Sequence, residues 1–255
     1  MIETDYGCEI NVVRHCTNAC VACNHGSTKY TERYVMEPYV LWRDLNVMKR
    51  HLRTKLLFCQ GGEPLLSPHI VEMMGICHES GIAKQCGVLT NGKLLPKMGD
   101  DFWKMLAQHG MELRISCYPD LSPDIVPFAQ EKADKWGFYV RPQQIGAFKP
   151  LFRKNGGETY YGCPWNRCLT IHEGWFYLCP LTTFFPKQYM GLDEHIDGIE
   201  IDAITDEKLQ TFLNKSTPLE TCKICAGATG DSIPWHQNSS KEEWEKEAGL
   251  AEALA

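Results

Sequence analysis

The sequence predicts an α/β fold built on a parallel sheet with crossover helices. Strand-like and helix-like segments alternate over residues 8–142, the connections between them are short, and the polar stretches punctuated by glycine and proline follow the strands. Alternation at this spacing builds a parallel sheet, because parallel neighbours need a long crossover and a helix supplies it. Ligand sites in such sheets gather at the carboxyl ends of the strands. From about Gln143 the alternation stops.

Glu9–Arg14 reads as the first strand. Glu37–Leu52 reads as a helix, with Val40, Leu41, Leu45, Val47 and Met48 near helical spacing. Lys55–Gln60 is a short apolar strand running into Gly61-Gly62-Glu63-Pro64. A helix over Pro68–Ser80 stops at Gly81, and a strand over Lys84–Leu89 ends at Thr90-Asn91-Gly92. Asp100–His109 is a helix stopped by Gly110, and Glu112–Cys117 is a strand ending at Tyr118-Pro119. Ser122 reads as an N-cap with Pro123 at the first helical position, opening a helix to Trp136. Phe138–Arg141 is a further strand. Lys149–Tyr161 is loop-like, and Leu169–Leu178 is a hairpin turning at Glu173-Gly174. A short helix fits Thr205–Leu213, and Ser239–Ala255 reads as one charged amphipathic helix.

The chain has 255 residues, 44% of them hydrophobic and 23% charged, which are globular proportions. A net charge of −6 argues against a large basic surface for nucleic acid. No apolar run approaches the length of a membrane span, and the acidic N-terminus lacks a signal-peptide layout, so a cytoplasmic location is expected. Thirteen cysteines are many for a reducing compartment and suggest metal or redox work. Cys8, Cys59, Cys77, Cys86 and Cys117 lie in apolar stretches and read as small buried hydrophobes; the other eight lie near turns.

Three of those eight form Cys16-x-x-x-Cys20-x-x-Cys23 just after the first strand. An ordinary four-iron cluster takes four thiolates, so a compact triplet leaves one iron open for a small molecule. Zinc is the competing occupant, since His15 and His25 flank the triplet and either could complete four ligands. Taken with Gly61-Gly62-Glu63-Pro64 after the second strand and Thr90-Asn91-Gly92 after the third, the triplet resembles the radical S-adenosylmethionine (radical SAM) superfamily. That resemblance implies a partial (β/α)6 barrel over residues 1–145. It also implies a [4Fe–4S] cluster on Cys16, Cys20 and Cys23, with S-adenosylmethionine on its open iron. One electron from the cluster then cleaves the sulfonium, and a 5′-deoxyadenosyl radical abstracts a substrate hydrogen.

Carried over residue by residue, the resemblance places Gly61, Gly62, Glu63 and Pro64 at the methionine amino group. Ser116 falls at the methionine or ribose end, and Thr90 and Asn91 fall on the ribose side. One departure is Ala22, where the family usually has an aromatic residue leaning on the adenine; Asn24 or His25 would then supply part of that contact. By period-two alternation, Arg114 and Tyr118 face inward with Ser116 while Cys117 faces the helices. On the next strand a polar barrel lining favours Tyr139, Arg141 and Gln143 facing in, against Phe138 and Val140. Arg141 is the foremost substrate-binding candidate, with a strand-end salt bridge as its plainer role.

Cys163, Cys168, Cys179 and the pair Cys222-x-x-Cys225 resemble the SPASM and twitch extensions of the same superfamily. Five cysteines suit one auxiliary [4Fe–4S] cluster, with Cys163, Cys179, Cys222 and Cys225 as ligands, in a region spanning 146–235 ahead of a C-terminal helix at 236–255. Cys168 either displaces one of the four or stands free near the substrate; a zinc knuckle of Cys163, Cys168, Cys222 and Cys225 is the alternative. The layout over residues 8–226 resembles the aminocyclitol dehydrogenase of butirosin biosynthesis. It implies oxidation of a secondary alcohol on a sugar or cyclitol, the auxiliary cluster taking an electron and a flavodoxin or ferredoxin supplying the low-potential one. His172, Glu173 and His25 are candidate bases. Epimerisation with Cys168 as hydrogen donor and peptide modification are the alternatives. No separate leader-peptide-binding segment is seen before Cys16.

Overall fold

A computed structural model describes residues 1–163 and 167–254, the side chain of Thr159 excepted. Strands β1 (Ile2–Glu3) and β2 (Gly7–Val13) lead to helix α1 (Pro38–Met48) and strand β3 (Leu52–Gly61). Then come α2 (Ile70–Ser80), β4 (Ala83–Thr90), α3 (Asp100–Gln108), β5 (Glu112–Cys117), α4 (Ile125–Trp136), β6 (Tyr139–Gln144) and β7 (Ala147–Phe148). The remainder holds β8 (Leu169–His172), β9 (Trp175–Tyr177), α5 (Phe185–Tyr189), β10 (Gly198–Glu200), α6 (Asp206–Leu213), β11 (Ile233–Pro234), α7 (Lys241–Glu247) and α8 (Leu250–Leu254).

Among the described residues, the main sheet runs β10-β9-β8-β2-β3-β4-β5-β6, with β1 paired to β3. From β8 to β6 every neighbouring pair is parallel, giving six parallel strands. This is the parallel sheet expected from the alternation, in the partial-barrel form that the resemblance implies. Its two faces separate cleanly by residue type, because successive side chains on a strand point to opposite sides. Cys8, Ile10, Val12, Leu57, Cys59, Val88, Leu113, Ile115, Cys117, Leu169 and Ile171 pack with the helices in one core. Glu9, Asn11, Gln60, Arg114, Ser116, Thr170 and His172 occupy the alternate positions. Cys8, Cys59, Cys77, Cys86 and Cys117 are all in that core, as their apolar surroundings suggested.

Several boundaries differ from the sequence expectation: β3 starts at Leu52 rather than at Lys55, for example, and α2 at Ile70 rather than at Pro68. The first helix ends at Met48, because Leu52 pairs with Ile2 and begins a strand. The fourth helix begins at Ile125 rather than at Pro123: the Ser122 carbonyl accepts the Ile125 N–H in a preceding turn, and Asp124 is the cap. The last parallel strand on that edge runs to Gln144, three residues past Arg141, in continuous register with Ser116 and Cys117. The C-terminal segment is two helices, not one. Gly249 sits at φ +90, and the Ala248 carbonyl accepts from the Leu151 and Phe152 amides instead of continuing the helix; Ala255 lies outside the described residues. The hairpin turns at Glu173 (φ +47) and Gly174 (φ +83) as expected, a turn conformation that matches strand twist.

A second, smaller core holds Val21, Ala22, Leu151, Phe152, Phe184, Phe185, Trp244 and Ala248. It lies under the cysteine loop, and Gly26 is part of the fit: a Cβ there would strike the Phe184 ring at 2.5–2.9 Å. No helix among the described residues is long and apolar enough to cross a membrane.

Candidate functional site

Three strand-end loops meet at one rim. Gly61 and Gly62 end β3 against the start of the cysteine loop, where a Cβ on either would overlap the carbonyl of Val13 or of His15. Gly61 also holds φ +125, so glycine is required there for conformation as well as for space. The Gly62 N–H donates to Val13 at 2.9 Å and the Glu63 N–H to His15 at 3.1 Å.

Glu63 is fully buried and joins the second loop to the third. Its carboxylate accepts from the Leu65 N–H (3.1 Å), the Thr90 hydroxyl (2.6 Å) and the Asn91 N–H (2.8 Å). Burial pushes its pKa up to about 7 against the lowering effect of those three donors. Pro64 follows at the first position of a short 3-10 turn. Asn91 in turn donates from Nδ2 to Thr17 at 2.9 Å and to Cys16 Sγ at 3.6 Å. Thr90 and Asn91 therefore lock the loops together, and Asn91 reaches the first cysteine.

The Asn18 amide lies within the Cys16–Cys20–Cys23 loop, is 1% exposed, and has no hydrogen-bond partner on either polar atom. Three thiols beside an unsatisfied buried amide form a donor set that suits a bound polar group. Ala22, at φ +46, is buried in the smaller core rather than turned toward the rim. Ser116 is buried on the polar face, opposite Gln143 in register. Arg114 lies on the Phe58 ring at 4.3 Å and pairs with Glu112 at 2.9 Å. Arg141 is on the polar face, as the alternation predicted, with Val140 in the core. Its side chain is 60% exposed, and its nearest carboxylate is Glu112 at 4.0 Å.

Sequence reasoning missed Glu9 and Trp235. Glu9 is buried on the polar face and gathers donors from three elements: His25 at 3.1 Å, the Thr170 hydroxyl at 3.2 Å, and the Gln60 amide. The Cys168 thiol lies near it, and burial together with the Glu9 charge pushes that thiol's pKa up. Burial would lower the His25 pKa, but Glu9 and Cys23 override it and lift it to about 10. His25 thus bridges Cys23 and Glu9, and both partners favour its protonated form. Burial and the Arg14 guanidinium push His172 down to about 3, and its Nε2 accepts from Arg14 at 3.1 Å. Neither histidine is a free base. Glu173 is half exposed on the hairpin turn, 3.4 Å from His172. Period-two alternation could have flagged Glu9, a carboxylate flanked by core positions; nothing in the sequence links Trp235 to Cys20, 215 residues away, whose Sγ accepts its indole N–H at 3.2 Å.

Cys163, Cys179, Cys222 and Cys225 line one cavity with Tyr160, Leu181 and Leu219. Gly156 lets the Cys222–Cys225 turn close, since a Cβ there would overlap the Cys225 carbonyl. The Cys225 thiol already accepts the Gly227 N–H at 3.3 Å. Burial pushes Cys222 up to about 11, against a lesser lowering by Lys215, and Cys225 to about 12, and none of the described residues lining the cavity is basic. Thiolates would form there only against the positive charge of a metal. Among the described residues, no three His, Cys, Asp or Glu side chains are gathered as a single ion would need. Cys168 does not line this cavity, but its thiol is near enough to feel Cys163 as well as Glu9.

No protein-family model matches the chain, and no curated protein sequence matches it. Solved structures do. The anSMEcpe structure with bound AdoMet is 12% identical at a TM-score of 0.58, the match covering 95% of this chain and 96% of that one. BtrN in complex with AdoMet and 2-DOIA is 14% identical at a TM-score of 0.51, covering 85% of each. Streptococcus suis SuiB bound to precursor peptide SuiA matches 54% of this chain at 18% identity and a TM-score of 0.46, and this chain spans 32% of its length. The fold is that of the radical SAM partial barrel.

Proposed function

We propose that the chain is a radical SAM enzyme that oxidises a secondary alcohol of a sugar or aminocyclitol. The observation that carries this reading is the cavity bounded by Cys163, Cys179, Cys222 and Cys225. A cluster with four thiolates has no open iron and serves electron transfer. Such a centre suits a reaction in which loss of a substrate hydrogen is followed by loss of a proton and one further electron.

Cys16, Cys20 and Cys23 would hold the first cluster, which with S-adenosylmethionine supplies the hydrogen-abstracting radical. The residues around it fit that group. Gly61 and Gly62 bring backbone close to the rim, where only glycine fits. Glu63 fixes this loop to Thr90 and Asn91, so these three position the site. Ser116 and Arg114 offer polar contacts on the inner face, and Arg141 offers a guanidinium at its open edge. Glu9, Gln60 and Thr170 complete a polar lining suited to a hydroxylated ring. The complex of BtrN with 2-DOIA is in keeping with a small-molecule substrate. A flavodoxin or ferredoxin would supply the electron for each turnover, and a cytoplasmic location follows from the need for a reducing compartment.

The test is anaerobic reconstitution followed by a panel of ring-deuterated sugars and aminocyclitols. About eight irons per chain, deuterium in 5′-deoxyadenosine and a product lighter by two hydrogens are expected. Iron near four with stoichiometric zinc, or cleavage that survives Cys16→Ala, would sink the reading.

A second reading, epimerisation, is favoured by one observation: Cys168 is outside the lining of the four-cysteine cavity and lies near the inner-face carboxylate Glu9. Such a thiol could return a hydrogen atom to a substrate radical. Under the dehydrogenase reading, Cys168→Ala keeps both clusters and most activity. If abstraction continues while product formation stops, and the wild-type product carries solvent deuterium, epimerisation replaces oxidation.

A further inference from the structure

We infer that Trp235 sets the reduction potential of the cluster held by Cys16, Cys20 and Cys23, by donating its indole N–H to the Cys20 sulfur. The inference rests on the radical SAM reading and adds a positioning residue that acts through Cys20. The donor comes from a strap of chain that the fold holds against the cysteine loop. β11 pairs antiparallel with β7, and the Trp235 N–H donates to the Gly146 carbonyl at 2.9 Å. The strap then runs alongside residues 19–21. Val21 N–H donates to His236 at 3.0 Å, Asn238 N–H to Ala19 at 2.8 Å, and Ala19 N–H to the Gln237 side chain at 3.2 Å. Gln237 also donates to Asp120 at 2.6 Å, on the loop after β5, and Asp120 pairs with Lys93 on the loop after β4. The strap is therefore pinned to the cysteine loop and to the loop after β5, and through Asp120 to the loop after β4.

The indole itself has little freedom. It stacks on Tyr118 at 5.5 Å and 24°, and Tyr118 stacks on Phe148 of β7 at 6.2 Å and 13°. Backbone on one side and stacked rings on the other fix the ring plane, so the N–H stays aimed at Cys20 Sγ, 3.2 Å away. The other two sulfurs of the triplet have side-chain partners of their own, Asn91 at 3.6 Å from Cys16 and His25 beside Cys23, so Trp235 acts on Cys20. An N–H directed at a cluster thiolate interacts more strongly after an electron is added, because the sulfur then carries more negative charge. Trp235 thus favours the reduced cluster and makes it easier to reduce.

Trp235→Phe keeps the stacked ring and removes only the donor. The variant and the wild-type chain, both reconstituted, are titrated with dithionite as the one-electron source, and the reduced cluster is followed by electron paramagnetic resonance. At the potential where the wild-type cluster is half reduced, the variant's reduced-to-oxidised ratio should fall by about twofold to tenfold, tenfold being 59 mV for a one-electron couple. Iron content and the potential of the auxiliary cluster should not move. An unchanged midpoint with the cluster intact overturns the inference and leaves the radical SAM reading standing. Failure of the wild-type chain to assemble a cluster that Cys16→Ala removes overturns both. A second measurement needs no substitution: with 15N-indole tryptophan in the wild-type chain, the reduced first cluster should show a weak 15N coupling. Its absence refutes the hydrogen bond even if the Phe variant fails to fold.

Discussion

Glu63 makes an unusual prediction because two opposing effects meet at one buried carboxyl. In Glu63→Gln the amide oxygen can keep the Leu65 N–H and the Thr90 hydroxyl, which share Oε1, but the NH2 group then confronts the Asn91 N–H. One buried donor left unpaired costs about 1–3 kcal/mol. Against this, wild-type Glu63 resists ionising: burial moves its pKa from 4.5 to about 7. That move corresponds to ~3 kcal/mol of preference for the neutral acid, good to about a unit of pH. The native state binds the proton more tightly than the unfolded chain, so this contribution is fully present below pH ~4.5 and is lost as pH rises to about 7. Glutamine cannot ionise and shows no such loss.

The difference in unfolding free energy, wild type minus variant, should therefore be largest near pH 4.5. It should shrink by up to ~3 kcal/mol on the way to pH 7.5, to near zero or below, and then level off. Urea unfolding of both chains, free of iron and in excess thiol reductant, at a series of pH values gives this difference directly. A difference that stays flat, or grows with pH, would refute the reasoning. It would mean that the three donors outweigh burial and that Glu63 is ionised throughout.

Gly156→Ala places a Cβ on the Cys225 carbonyl and 2.7 Å from the Cys222 carbonyl. Iron should fall from about eight to about four per chain with S-adenosylmethionine cleavage retained, and full iron content would show that the turn tolerates the methyl group. Paired substitution of Cys222 and Cys225 with serine should give the same iron loss and stop product formation while deuterium still reaches 5′-deoxyadenosine; unchanged product yield would remove the auxiliary centre from the reaction. Glu9→Leu leaves the His25 imidazolium buried without its carboxylate and should cost about 3–5 kcal/mol in urea unfolding at pH 7. A loss under about 1 kcal/mol would mean that the pair is solvated enough to contribute little.

The parallel sheet was legible because each strand sorts its residues by face. Ile10 and Val12 alternate with Glu9 and Asn11, and Leu113, Ile115 and Cys117 with Arg114 and Ser116. The short loops following strands also carried their chemistry openly, since Gly61 and Gly62 are dictated by close backbone approach. Less was legible where the answer depends on long-range pairing. The hairpin at Glu173-Gly174 was readable, but its attachment was not: β8 pairs in parallel with β2, about 160 residues earlier, and nothing local specifies that neighbour. Helix ends slipped where a tertiary bond replaced a helical one, as at Ala248. The Thr90 hydroxyl is another instance. It donates to Glu63, 27 residues earlier, a partner that nothing local specifies.

Placement of β8 beside β2 changes what the C-terminal third contributes. It brings Thr170 and Cys168 to Glu9, and His172 to Arg14 at the end of the first barrel strand. The strap at 233–238 brings Trp235 to Cys20. Each side of the first cysteine loop is thus built partly from residues more than 150 positions away. A chain with these contacts gains a polar network that is satisfied only when both segments are in place, and half-satisfied buried networks are costly. Order in the first site is in this way tied to folding of the segment that carries the second. The tie runs through Glu9, His25 and Trp235, and not through the four distal thiols. Loss of those thiols and loss of the segment that bears them are therefore different perturbations, and only the second removes the donors that Glu9 and Cys20 require.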